Sequence, residues 1–160
     1  VNRLIALLLV ALPLPALAGQ CNHWSAGMQE DEGGPVMMAD ICTKTAGGTA
    51  TLLLSCGEPG KLSARLLFDD TTAYSPPDPE FKTKLEVAAD EVTAALPAHF
   101  EEMDGAMVVD IERTSPLGEA LVSKSALAIR DLGGKVTAVR FTLAGSKAAL
   151  AKLTATCGQN

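Results

Sequence analysis

Thr49-Ala50-Thr51-Leu52-Leu53-Leu54-Ser55-Cys56, Gly57-Glu58-Pro59-Gly60, then Lys61-Leu62-Ser63-Ala64-Arg65-Leu66-Leu67-Phe68 is the stretch that sets the fold class. Ala50, Leu52, Leu54 and Cys56 recur at a period of two, and so do Leu62, Ala64, Leu66 and Phe68. In an extended chain that period puts each set on one face. A Pro-Gly turn between two such runs predicts a β-hairpin with one buried face.

Further strands follow outward from it. Met107, Val109 and Ile111 alternate after the Asp104-Gly105 turn. Leu127 and Ile129 lead into Gly133-Gly134, and Val139, Phe141 and Leu143 form the return strand. Residues 81–96 satisfy two templates. Phe81, Leu85, Ala88, Val92 and Ala95 fit a helical face, while Leu85, Val87, Ala89, Val92, Ala94 and Leu96 fit two short strands around Asp90-Glu91. Pro97 is read as the end of either. Asp69–Thr72 and Ser75–Pro79 read as a surface loop.

Two helices are expected. Ser115 reads as an N-cap with Pro116 at the first helical position, giving a short helix to about Val122. Ser146 reads as the cap of a final helix that carries Leu150, Leu153 and Cys157 on one stripe. Residues 19–48 are rich in Gly, Asp, Glu and Met without clean periodicity, and are read as an irregular segment before one β-rich domain at 49–160. The expected fold is mainly β (α+β): an antiparallel β-sandwich or curled sheet with two short helices, stapled by disulfides.

The N-terminus carries an export signature. Arg3 precedes an apolar run over 4–12, Pro13 and Pro15 break it, and Ala16-Leu17-Ala18 supplies the small residues of a cleavage site. The run is about half the roughly 20 residues a membrane helix needs. Gln20 stands between Gly19 and Cys21, out of register for lipid attachment. Residues 1–18 are therefore read as a signal peptide, leaving 142 of the 160 residues (160 less 18). The expected location is periplasmic or secreted, with no membrane insertion after cleavage. Losing Arg3 from the 13 basic residues leaves 12 against 19 acidic, a charge of −7. That balance argues against nucleic acid, which demands a basic face.

Cys21, Cys42, Cys56 and Cys157 are an even number in an exported chain, hence two disulfides. Cys56 and Cys157 both lie on core-facing stripes, which points to a Cys56–Cys157 bond with Cys21–Cys42. The runner-up among the three possible connectivities pairs Cys42 with Cys56 across a hairpin at Ala46-Gly47-Gly48 and leaves Cys21 for Cys157.

The run Phe141-Thr142-Leu143-Ala144-Gly145-Ser146-Lys147-Ala148-Ala149-Leu150 resembles the F-x-L-x-G-x-x-A-A-L stretch that closes exported proteins of the invasion-associated locus B type. Trp24 near Cys21 is similar to that family's N-terminal end. The resemblance implies a small secreted bacterial domain, β-rich, linked to host-cell interaction and without an assigned enzymatic activity.

The residues themselves offer little chemistry. His99-Phe100-Glu101 has the H-x-E spacing of zinc deaminases but lacks their downstream P-C-x-x-C. Glu101, Glu102, Asp104 and Asp110 could pair carboxylates as glycosidases do, yet few aromatics are present to bind a sugar. Gln29-Glu30-Asp31-Glu32 lacks the alternating ligands of a calcium loop and reads as an acidic loop. There is no G-x-S-x-G motif, and the glycine pairs match no nucleotide loop. His23, Met28, Met37 and Met38 are the metal candidates, since thioether and imidazole ligands select copper.

Three functions follow as expectations, none with a cofactor of its own. The first is a non-catalytic exported binding domain with a protein or cell-envelope partner. The alternative is an envelope copper or redox accessory protein using residues 23–38. The third is an inhibitor of a basic envelope-attacking enzyme such as lysozyme, steered by the acidic charge.

Overall fold

A computed structural model gives the architecture; the residues described are 21–31, 33–69 and 80–158. The signal-peptide reading of 1–18 and most of the loop read at 69–79 lie outside them.

The elements in chain order are β1 (Ser25–Asp31), β2 (Gly34–Thr45), β3 (Gly48–Cys56), β4 (Lys61–Phe68), β5 (Lys82–Ala89), β6 (Val92–Glu101), β7 (Ala106–Glu112), α1 (Pro116–Ala120), β8 (Ala126–Asp131), β9 (Val139–Thr142) and α2 (Ser146–Thr154). The strands form one nine-stranded sheet in the order β1-β2-β3-β4-β7-β6-β5-β8-β9. Every neighbouring pair is antiparallel. It is a curled sheet, not two stacked ones: β2 approaches β9, and α2 packs on β1, β2 and β3 inside the curl.

The β3–β4 hairpin forms as its alternation dictates. Ala50, Leu52, Leu54, Leu62, Ala64 and Leu66 are all buried in the core. Each buried leucine among them is worth roughly 1.5–3 kcal/mol. Between residues 81 and 101 the strand template holds. Leu85, Val87 and Ala89 are buried, while Ala88, central to the helical template, lies on the other face of β5. Pro97 does not end the segment, because β6 runs on to Glu101.

Three other expectations are corrected. The segment read as irregular holds two strands, Ser25–Asp31, which takes in Gln29–Asp31, and Gly34–Thr45, and β1 pairs β2 along its whole length. Ser146 is not the cap of α2 but its first residue. Gly145, with φ at 94°, holds the cap position, and the buried Ser146 hydroxyl donates to the Leu121 carbonyl at 2.6 Å. Left-handed φ is cheap only without a Cβ. Cys157 lies in the turn beyond α2, which ends at Thr154.

The α1 expectation holds at its start. The Ser115 Oγ accepts from the Gly118 N–H at 3.1 Å, and Pro116 opens the helix, which ends at Ala120. Both disulfides of the first arrangement are present, Cys21–Cys42 and Cys56–Cys157. The second ties β3 to the turn after α2.

Candidate functional site

Among the described residues the scaffold carries several concave regions, of which two bear on recognition. One opens beside the Cys56–Cys157 bond, where the β3–β4 turn meets β1, β2 and the C-terminal turn. It measures about 530 Å³, and its walls include Met28, Val36, Met37, Pro59, Lys61 and Arg113. Lys61 is held there between Glu58 at 2.7 Å and Glu112 at 3.8 Å. The hydrogen bond and charge of Glu58 raise the Lys61 pKa above its ordinary value, and the Glu58 carboxyl is lowered in turn.

The second region is a narrower, mostly apolar groove of about 190 Å³ between β6 and the β7–α1 corner. Val92, Ala94, Leu96, Ile111 and Leu117 line it, with Asp110 and Glu112 at its edge. It exists because β6 and β7 pair only over Ala98–Glu101 and Ala106–Val109. Beyond Ala98 the strands part, and the N-terminal end of α1 sits in the fork.

The sequence candidates are dispersed over this frame. Met28 and Met37 are register partners on β1 and β2 and both line the larger cleft. Met38, the next residue along β2, points to the opposite face and is buried. His23 is exposed in the lead-in before β1. The structure thus joins two of the four copper candidates and separates the rest. Among the described residues, no group of three or more His, Cys, Asp and Glu side chains is placed to hold a metal.

The acidic set is also divided. Glu101 accepts from the Arg65 Nε at 2.9 Å, and Asp104 lies 3.5 Å from the same nitrogen. Arg65 has its pKa raised, first by the hydrogen bond to Glu101 and against the opposing effect of burial. Asp110 is on β7, opposite Ser63 of β4. His99 and Glu101 share a strand face, but Glu101 is engaged by Arg65.

Two carboxylates not singled out in the sequence carry clear structural work. Asp131 is buried at the β8 terminus. It accepts from the Thr83 hydroxyl at 2.6 Å and from the N–H groups of Gly133, Lys135 and Val136 at 2.9, 2.6 and 3.1 Å. Burial pushes its pKa up, but these four donors outweigh that and hold it below the ordinary carboxyl value. Asp90, at φ 49° in the β5–β6 turn, accepts from the Ser125 and Ala126 N–H groups. The signal for both was local: an Asp before Gly-Gly, and an Asp at a turn between alternating runs.

No family model matches the chain, and no curated protein matches it. Among solved structures, the crystal structure of invasion associated protein B from Bartonella henselae aligns with a TM-score of 0.55 and 17% identity, over 88% of this chain and 96% of that one. The two disulfides fit an extracytoplasmic protein. None of the described helices is long and apolar enough to cross a membrane. At 17% identity the likeness speaks to architecture, and the chain has the fold of invasion associated protein B.

Proposed function

We propose that this chain is a non-catalytic binding domain, exported to the periplasm or the medium, that acts on a protein or cell-envelope partner. The observation that carries the proposal is where its reactive groups are spent. Glu101 is bound to Arg65, Asp131 satisfies a turn, and Asp90 fastens β5–β6 to β8. The β6–β7 groove, by contrast, is walled mainly by aliphatic and proline side chains, and the larger cleft sets Met, Val and Pro beside Glu58, Lys61 and Arg113, the mixed surfaces that recognition uses. The shared fold with a protein named for invasion supports an outward-facing role.

Affinity capture tests it, with the oxidised chain from Gly19 as bait and envelope and medium extracts as source. A single reproducible partner that weakens with salt is expected, and a clean blank at low salt contradicts the proposal. If the partner is a basic enzyme such as lysozyme, micromolar chain inhibits it.

The pairing of Met28 with Met37 favours a second reading, a copper accessory protein of the envelope. Stoichiometric Cu(I) retained through dialysis, and lost in the Met28→Ala, Met37→Ala double variant, is its signature. No retained Cu(I) removes it.

A further inference from the structure

The fork between β6 and β7 has a physical cause in one residue. The β5–β6 turn has two residues, Asp90 and Glu91, so its flanking pair Ala89 and Val92 exchange both backbone hydrogen bonds. Counting along the ladder, Val92, Ala94, Leu96 and Ala98 bond to β5. Thr93, Ala95, Pro97 and His99 direct their backbone groups away from it. His99 meets Val108 of β7, and the next such pair in register is Pro97 with Asp110. Pro97 has no N–H to offer the Asp110 carbonyl. The ladder stops there, and β6 keeps its bonds to β5 because the missing donor lies on the other side.

The backbone groups of Thr93 and Ala95 consequently face the fork without a partner among the described residues. Both residues are exposed. The inward row of β6 shows the same opening, since Ala98 is buried whereas Leu96, Ala94 and Val92 are only partly so. Donors and acceptors repeating every second residue, above an apolar groove, are the features that accept an added strand. At about 190 Å³ the groove is too small for a typical small-molecule site and suits individual side chains.

The charges at the edge define the guest further. Asp110 and Glu112 alternate with the buried Val109 and Ile111, so they face outward beside the fork. Asp110 has no ion pair among the described residues. Glu112 shares Lys61 with the closer Glu58. A second copy of this chain would set its own Asp110 and Glu112 against these, which like-charge repulsion disfavours.

We propose that the open edge of β6 at Thr93–Leu96 binds an extended peptide segment of a partner protein as an added strand. Aliphatic side chains of the guest point into the groove, and Lys or Arg at alternate positions faces Asp110 and Glu112. This rests on the binding-domain reading above and names the class of partner.

The test titrates isotope-labelled oxidised chain with the peptide Lys-Val-Lys-Val-Lys, capped at both ends, and with its Glu-Val-Glu-Val-Glu counterpart. Saturable shifts at the Thr93 and Ala95 amides are expected for the lysine peptide alone, together with slowed hydrogen exchange at those two positions. Ala95→Pro removes one N–H to the guest and none to β5, and should weaken binding by at least about tenfold. Asp110→Lys should weaken it by a similar factor and is a surface change that leaves the ladder whole. No saturable shift with the lysine peptide overturns the proposal, as does binding that survives both substitutions. Protected Thr93 and Ala95 amides in the free chain do so too. A partner captured equally well by wild type and Ala95→Pro, and not displaced by the peptide, overturns the edge while leaving the binding-domain reading intact. A blank capture alongside peptide binding does the reverse.

Discussion

The indole Nε1 of Trp24 donates to the backbone carbonyl of Thr142 at 2.8 Å, across 118 residues of sequence. This bond fastens the lead-in before β1 to β9, at the place where the curled sheet brings β2 and β9 together. It is reinforced by Asn22, whose N–H donates to the Cys42 carbonyl at 2.7 Å and continues the edge of β2.

Replacing Trp24 with Phe keeps the ring and deletes the donor. We expect a loss of about 1–2 kcal/mol, the net value of one hydrogen bond and its exposed acceptor. Urea unfolding followed by circular dichroism measures it, and the slope should be unchanged because the fold is.

The two disulfides should differ in worth. Cys56–Cys157 spans 101 residues and Cys21–Cys42 spans 21. Chain-entropy scaling gives about 4.7 kcal/mol for a loop of roughly 100 residues and about 3 for a short one. The double Ser variant at 56 and 157 should therefore lose more thermal stability than the one at 21 and 42. Equal losses in a calorimetric comparison would show that loop length is not what matters.

Asp131 makes stability depend on pH. Its pKa is lower in the folded chain than in the unfolded one, so its contribution is complete above the ordinary carboxyl range near pH ~4. That contribution fades as pH falls through the lower native value. Asp131→Asn should cost about 2–3 kcal/mol at pH 7. The difference between variant and wild type should shrink below pH ~4, and denaturant curves from pH 7 to 3 measure the trend.

Gly118 is fixed by close approach. A Cβ there would meet the Glu112 carbonyl oxygen at 2.4 Å and that of Arg113 at 2.5 Å. Neither backbone group can retreat without moving the β7–α1 corner. Gly118→Ala should destabilise by about 1–3 kcal/mol despite the better helix propensity of alanine. A thermal midpoint at or above wild type would contradict this packing.

Much of this architecture was legible where one sheet face is fully covered. On β3, β4, β5, β7 and β8 the inward row is mainly buried and apolar, with Asp131 at the end of β8 the charged exception, so alternation and structure agree. The first hairpin was hidden because burial there does not follow the apolar residues. Met38 is buried on the outward face of β2, while Met28 at the cleft rim is 58% exposed. Ser146 reads as the cap by residue type, and only the backbone turn at Gly145 shows that the cap lies one residue earlier. The open edge of β6 was invisible for a different reason. Pro97 reads as a terminator until the register shows which side of the strand its missing donor faces. The split of the methionines likewise depends on register, since Met37 and Met38 are neighbours in sequence and opposite in the sheet.

Equilibrium binding to washed cell envelopes tests the central claim, a folded and disulfide-held binding domain, most directly. The chain from Gly19 would be titrated onto them in its oxidised and its fully reduced forms, at low and high salt. The account predicts saturable binding by the oxidised form, weakened by salt and abolished by reduction. Linear uptake that never saturates, and is the same for both forms, would contradict it.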